Sequence, residues 1–100
     1  MLDELYKRVE ARKHQAADQS YSAKLLQKGR AKIAQKLGEE ATELVIEAIR
    51  DDREKMMNES ADLLYHLMVL WVDAEINPDD VKACLEQRRK QSGLQEKQSR

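Results

Sequence analysis

Apolar residues recur at helical spacing along most of this 100-residue chain. The apolar positions at Leu2, Leu5, Tyr6 and Val9 predict a first helix over residues 3–16, with Asp3 as its N-cap. The polar stretch 17–22 contains small residues and predicts a loop. Ser22 is predicted to cap a short second helix through Leu25 and Leu26, which ends or bends at Gly29.

A long third helix is predicted over residues 30–50, because its apolar residues fall on one arc at 100° per residue. That arc consists of Ile33, Ala34, Leu37, Ala41, Leu44, Val45 and Ala48. Lys36, Glu40, Glu43 and Glu47 line the edge of the arc, whereas Glu39 lies further round, toward the polar side. Charged groups therefore border the surface that this helix is expected to bury.

The pair Asp51-Asp52 predicts a turn and an N-cap for a fourth helix over residues 53–74. Between residues 61 and 72 only Asp62 and His66 interrupt an apolar sequence that covers every face of this helix. A chain of 100 residues can hardly cover such a helix by itself, so self-association is expected. We therefore predict a homodimer, with higher assembly left open.

A last helix is predicted over residues 79–90, with Asn77 as its cap and Pro78 at its first position. Its inward residues are expected to be Val81, Cys84 and Leu85. The prediction is an all-α fold of four to five helices without strands, forming a helical-bundle homodimer. Residues 1–90 form one domain, and the polar residues 91–100 are predicted to be a disordered tail.

Composition excludes several function classes. A net charge of −1 gives no general attraction to nucleic acid or to a membrane surface. One cysteine rules out an intramolecular disulfide framework, and the first residues lack the pattern of a signal segment. The longest apolar run, residues 67–72, is too short to cross a bilayer. We expect a cytoplasmic protein that binds neither nucleic acid nor membranes.

Two acidic phrases, Glu39-Glu40-Ala41-Thr42-Glu43 and Glu59-Ser60-Ala61-Asp62, indicate the chemistry. Each places two carboxylates three residues apart, on one face of a helix that also carries apolar residues. Carboxylates beside a core require a basic partner, a shared proton or a divalent cation. If the two long helices pack antiparallel, Glu40, Glu43, Glu59 and Asp62 face one cleft. Oxygen ligands favour Mg²⁺, with Mn²⁺ as a substitute.

Carboxylate-bound Mg²⁺ usually takes its remaining ligands from water and substrate phosphates, which points to phosphoryl chemistry. Residues 20–36 contain five basic residues and no acidic one, so this stretch is expected to hold the phosphates that lie away from the metal. Lys36 is the strongest single candidate because it lies one turn before Glu40. A lone histidine such as His66 is more often a packed core residue than a ligand.

These phrases resemble the metal motif of the all-α, MazG-like nucleotide pyrophosphohydrolases. Three flanking segments narrow the resemblance to the phosphoribosyl-ATP pyrophosphohydrolases of histidine biosynthesis, in their stand-alone form. They are Ser20-Tyr21-Ser22-x-Lys24-Leu25, Lys36-Leu37-Gly38-Glu39-Glu40-Ala41-x-Glu43, and the segment that runs from Glu59 through Asp62-Leu63-Leu64-Tyr65-His66 to Leu67.

The resemblance implies Mg²⁺-dependent hydrolysis of 1-(5-phosphoribosyl)-ATP to the AMP derivative and pyrophosphate, by an intertwined homodimer. It implies that Glu40, Glu43, Glu59 and Asp62 bind metal. Lys24 and Lys36 are expected to contact phosphate, and Glu39 or Glu43 to accept a proton from the attacking water. Two alternatives stay open: a hydrolase of ordinary or damaged nucleoside triphosphates, and a non-enzymatic helical dimerisation module.

Overall fold

The computed structural model describes residues 1–17 and 19–90, which form five helices and no strand. The helices are α1 (Leu2–Ala11), α2 (Tyr21–Lys28), α3 (Arg30–Arg50), α4 (Arg53–Ala74) and α5 (Pro78–Arg89). The predicted all-α class is confirmed, and α3 and α4 have the predicted bounds. The predicted tail, residues 91–100, lies outside the described residues.

The two long helices, α3 and α4, form an antiparallel hairpin. Asp51 ends α3 in the left-handed conformation with φ 59°, and the Asp52 side chain caps α4 by accepting from the Lys55 amide at 3.1 Å. At the opposite end of the hairpin, Arg30 pairs with Asp73. The short turn sets the register of the hairpin, and in this register Glu40 and Glu43 on α3 lie against Glu59 on α4.

The core lies where α1 and α2 pack on the end of the hairpin that is distant from the Asp51-Asp52 turn. It is small, because only a few apolar side chains are fully covered. They are Tyr6, Val9, Ala23, Leu25, Ile33, Met68, Val69 and Val72. Ile33 is the single buried residue of α3, so most of the apolar arc predicted for that helix is not covered within one chain.

The first two helices differ from their predicted bounds. The first helix ends at Ala11 rather than at residue 16, and Asp3 lies inside it, where it pairs with Lys82 at 2.8 Å instead of capping. Ser20, not Ser22, caps α2 by accepting from the Ala23 amide at 2.9 Å. Gly29 does end α2, at φ 96°, a conformation that favours glycine.

The last helix begins as predicted, because Asn77 caps it in a reciprocal arrangement with Asp80 and Pro78 is its first residue. The expectation that Cys84 and Leu85 point inward is wrong, since both are exposed. Helix α5 contacts mainly α1, partly through the Lys82–Asp3 pair. Its outer turns have no second helix to pack against among the described residues.

Apolar side chains remain exposed on the half of the hairpin nearest the Asp51-Asp52 turn. They are Val45, Ile46, Ile49, Met57 and Leu64, with Ile49 80% exposed.

The described helices include none with the length and apolar content needed to cross a membrane.

Candidate active site

Three of the four predicted metal ligands come together in the middle of the α3–α4 hairpin. Glu40, Glu43 and Glu59 each place a carboxylate oxygen within 4.8 Å of the others. One oxygen of Glu40 and one of Glu59 are buried and have no hydrogen-bond partner among the described residues. Buried carboxylate oxygens without partners require a proton or a cation. An oxygen-only cluster of this kind fits a hard divalent cation such as Mg²⁺.

Within this cluster, Glu59 has a raised pKa. Hydrogen bonding to Glu43, which protonation of Glu59 permits, is the largest cause that raises the pKa of Glu59 to about 7; desolvation, the charge of Glu43, and the hydrogen bonding and charge of Glu40 act in the same direction. Glu59 is therefore only partly ionised at neutral pH unless a cation compensates the charge of the cluster. A divalent cation at this position would offset the repulsion between the carboxylates without a proton.

The fourth predicted ligand, Asp62, lies one helical turn after Glu59, but its side chain is exposed and is not part of the three-carboxylate cluster. Of the four carboxylates predicted to face one cleft, Asp62 thus lies outside the cluster among the described residues, because α1 and α2 cover the other end of α4 and leave it exposed. The role of Asp62 as a metal ligand stays a prediction.

Glu39 also lies outside the cluster. It accepts a hydrogen bond from Gln35 at 3.1 Å and pairs with Lys36 at 3.3 Å, and these two contacts hold its pKa below the ordinary value. The hydrogen bond from Lys36 to Glu39 in turn raises the pKa of Lys36, with smaller contributions from Tyr21 and Glu40. Glu39 thus fixes the position of a lysine that stands next to the acidic cluster.

Lysine side chains line a pocket beside the cluster, and we call it the lysine pocket. It has a volume of about 220 Å³ and is formed by Tyr21, Lys24, Leu25, Lys28, Lys32 and Lys36. Both predicted phosphate-binding residues, Lys24 and Lys36, are among them. Lys28 and Lys32 were not singled out from the sequence. Lys28 follows Lys24 by four residues and Lys32 precedes Lys36 by four residues, and this helical spacing was the available signal.

Polar and aromatic side chains pack against Tyr21, on the protein side of the lysine pocket. The side chain of His66 is buried; its Nδ1 donates to the Asp62 carbonyl at 2.8 Å, so its Nε2 can accept from the Tyr21 hydroxyl at 3.3 Å. Ser22 and Tyr65 are joined by a hydrogen bond, and the Tyr65 and His66 rings pack edge to face at 5.2 Å. His66 is therefore a satisfied core residue that orients Tyr21.

The chain is similar to known proteins along nearly its whole length. The profile of the family described as phosphoribosyl-ATP pyrophosphohydrolase matches residues 2–89. The chain is 57% identical over its full length to the phosphoribosyl-ATP pyrophosphatase of Azospirillum brasilense, of which it covers 90%. It is 52% identical over 99 residues to the enzyme of the same name from Sinorhizobium medicae, of which it covers 92%.

Proposed function

This chain belongs to the phosphoribosyl-ATP pyrophosphohydrolase family, and we propose that it hydrolyses phosphoribosyl-ATP to phosphoribosyl-AMP and pyrophosphate in histidine biosynthesis. The observation that carries the proposal is the position of the Glu40–Glu43–Glu59 cluster beside the lysine pocket. A triphosphate can reach carboxylates only with cations between them, and the lysines supply further positive charge for its remaining oxygens.

We assign Mg²⁺, with Mn²⁺ as a substitute, to Glu40, Glu43 and Glu59, with Asp62 as a fourth ligand. Bound there, the ion supplies neutralisation of phosphate charge and activation of a water. The orphaned buried oxygens of Glu40 and Glu59 support this assignment. The raised pKa of Glu59 supports it as well, because a cation removes the need for the shared proton.

The residues of the chain then perform separate tasks. Lys24 and Lys36 hold phosphate oxygens so that the bond between the α- and β-phosphates lies toward the carboxylates. Of the two groups expected to accept the proton of the attacking water, Glu43 lies in the cluster, whereas Glu39 faces Lys36. We therefore assign proton acceptance to Glu43. Glu39 is a positioning residue for Lys36, and its lowered pKa makes it a poorer base.

A homodimer is part of the proposal, with a second copy of this chain as the occupant of the exposed apolar surface. Val45, Ile46 and Ile49 on α3 and Met57 and Leu64 on α4 are exposed on the half of the hairpin that α1 and α2 leave open. This surface is continuous with the helices that carry the carboxylates, so a second copy would exclude water close to the metal ligands.

The oligomeric state is tested by light scattering on the protein as it elutes from a size-exclusion column. We expect the mass of a dimer for the wild type, and a shift toward the monomer in Ile49→Glu. The matched control is Leu85→Glu, which places the same charge on an exposed residue of α5. A monomeric wild type at micromolar concentration would contradict the dimer without affecting the family assignment.

The reaction is tested by pyrophosphate release. The purified protein is incubated with Mg²⁺ and either phosphoribosyl-ATP, ATP, or a panel of ordinary and oxidised nucleoside triphosphates. We expect release from phosphoribosyl-ATP to exceed release from every other substrate. Faster release from another triphosphate would favour the house-cleaning alternative, and no release from any of them would favour the non-enzymatic module.

A further inference from the structure

A second pocket is also lined by Tyr21. It has a volume of about 310 Å³, and its lining combines two arginines, Arg8 and Arg12, with the apolar groups of Leu5, Val9 and Tyr65. We call it the arginine pocket. Neither guanidinium forms an ion pair within residues 1–17 and 19–90. Arg12 donates to Gln15 at 3.3 Å, which holds its side chain at the end of α1.

Tyr21 is shared by the lysine pocket and the arginine pocket. Its side chain is 51% exposed, and its hydroxyl is held by the buried His66. Its ring lies 6.0 Å from the Tyr65 ring at an interplanar angle of 31°. A ligand that crosses Tyr21 therefore meets an oriented aromatic face, with cationic side chains at both ends.

The substrate of the proposed function has a matching distribution of charge. Phosphoribosyl-ATP carries a triphosphate on one ribose and a phosphomonoester on a second ribose, with the adenine base between the two sugars. ATP lacks the second group. Arginine suits a terminal phosphomonoester because its planar guanidinium donates two parallel hydrogen bonds to phosphate oxygens. A base that lies over a tyrosine ring gains stacking contact at the same time.

We propose that the arginine pocket is the specificity subsite for the phosphoribosyl group, with Arg8 and Arg12 as the ligands of its phosphate and Tyr21 beneath the adenine. This inference rests on the proposed function and extends it. The acidic cluster and the lysine pocket bind what phosphoribosyl-ATP shares with every nucleoside triphosphate. The arginine pocket binds the part that distinguishes it, so the two tasks belong to different residues.

The test measures inhibition constants for phosphoribosyl-AMP and for AMP, with turnover of phosphoribosyl-ATP as the reporter. These two inhibitors differ only by the phosphoribosyl group. We expect Arg8→Gln to raise the inhibition constant of phosphoribosyl-AMP at least about tenfold, because hydrogen bonds between charged groups are lost. The inhibition constants of AMP and pyrophosphate should stay unchanged. Arg8→Lys should raise the inhibition constant of phosphoribosyl-AMP less than Arg8→Gln does, and Arg8→Glu should raise it more. The matched control is Arg88→Gln on α5, which has the same charge change.

An unchanged ratio of the two inhibition constants in Arg8→Gln and in Arg12→Gln would overturn the proposal. Equal weakening of AMP and phosphoribosyl-AMP would also overturn it, because the arginines would then act on the whole nucleotide. Arg8 is exposed, so its variants should melt like the wild type. Failure of the proposed function has a different signature: the wild type would not release pyrophosphate from phosphoribosyl-ATP, whereas direct binding of the two monophosphates would still report on the arginine pocket.

Discussion

Glu59 provides the most quantitative prediction of the site. The shared proton raises its pKa from 4.5 to about 7 in the folded protein. A carboxyl group whose pKa is raised by folding binds more protons in the folded state than in the unfolded state. The free energy of unfolding of the metal-free protein should therefore be highest below about pH 4.5, as far as Glu59 determines it, and should fall as the pH rises through about 7.

The same shift fixes the number of protons that a cation must displace. At pH 6, a group with a pKa of about 7 is about 0.9 protonated, and at pH 8.5 it is about 0.03 protonated. For comparison, Glu59 in the unfolded chain, with a pKa of 4.5, holds about 0.03 of a proton at pH 6. The proton that Mg²⁺ must displace is therefore present only in the folded protein. Binding of Mg²⁺ should therefore release about 0.9 of a proton at pH 6 and almost none at pH 8.5.

Titration calorimetry measures this release when Mg²⁺ is added in two buffers of different ionisation enthalpy. In the metal-free protein, Glu59→Gln should remove the decline in melting temperature between about pH 4.5 and 7. The control is Glu54→Gln, because Glu54 lies in the first turn of the same helix, is exposed, and changes charge by the same amount.

Two results would refute this reasoning. The first is Mg²⁺ binding at pH 6 without proton release, which would mean that the carboxylates are already ionised. The second is a wild-type pH profile of stability that Glu59→Gln and Glu54→Gln change equally, which would mean that the decline comes from general charge rather than from the cluster.

Further predictions concern catalysis and packing. Asp62→Asn should keep the wild-type fold and lower kcat by about 100-fold or more, because a lost metal ligand removes several kcal/mol of charge stabilisation; near-normal pyrophosphate release from a folded variant would remove Asp62 from the ligand set. Ile33→Ala should lower the free energy of unfolding by about 2–5 kcal/mol, since Ile33 is 0% exposed; a denaturant titration measures this loss, and a value below about 1 kcal/mol would contradict the position of the core. Ser20→Ala should lower the free energy of unfolding by about 1 kcal/mol, because the cap of α2 is lost. The same denaturant titration measures this loss, and Ser22→Ala is the comparison variant, because the Ser22 hydroxyl is bonded to Tyr65 and does not cap the helix.

Periodicity predicted the hairpin accurately, because both ends of it carry strong local signals. The bounds of α3 and α4 follow from Gly29, Asp51 and Asp52, each of which ends or caps a helix by itself. The boundary of α1 was less predictable. Polar residues after Ala11 are compatible with a helix, and only the turn of residues 12–14 ends it. Ser20 and Ser22 are both suitable caps, and the pairing of Ser22 with Tyr65 on α4 decides between them.

The candidate site, like the fold, was predictable from the sequence only in part. The spacing of Glu40 and Glu43 on one helix, and of Glu59 on the next, was sufficient to predict that the three meet, because an antiparallel hairpin with a short turn has one register. Glu39 was predicted to lie toward the polar side of α3, and it does lie outside the cluster. The position of Asp62 was less certain, since a polar residue on an otherwise apolar helix can face either neighbouring surface. The contacts of Glu39 with Gln35 and Lys36 turn it from the cluster.

The sequence by itself determined the two long helices, the meeting of Glu40, Glu43 and Glu59, and the family, because helical period, capping and motif spacing are local properties. Only the tertiary structure decided that Tyr21 stands between a lysine pocket and an arginine pocket. Arg8 and Tyr21 belong to different helices, and no periodicity connects them. The packing of α1 and α2 against α4 brings them together, since burial of Val9, Leu25 and Val69 in one core leaves the polar edges of these helices side by side.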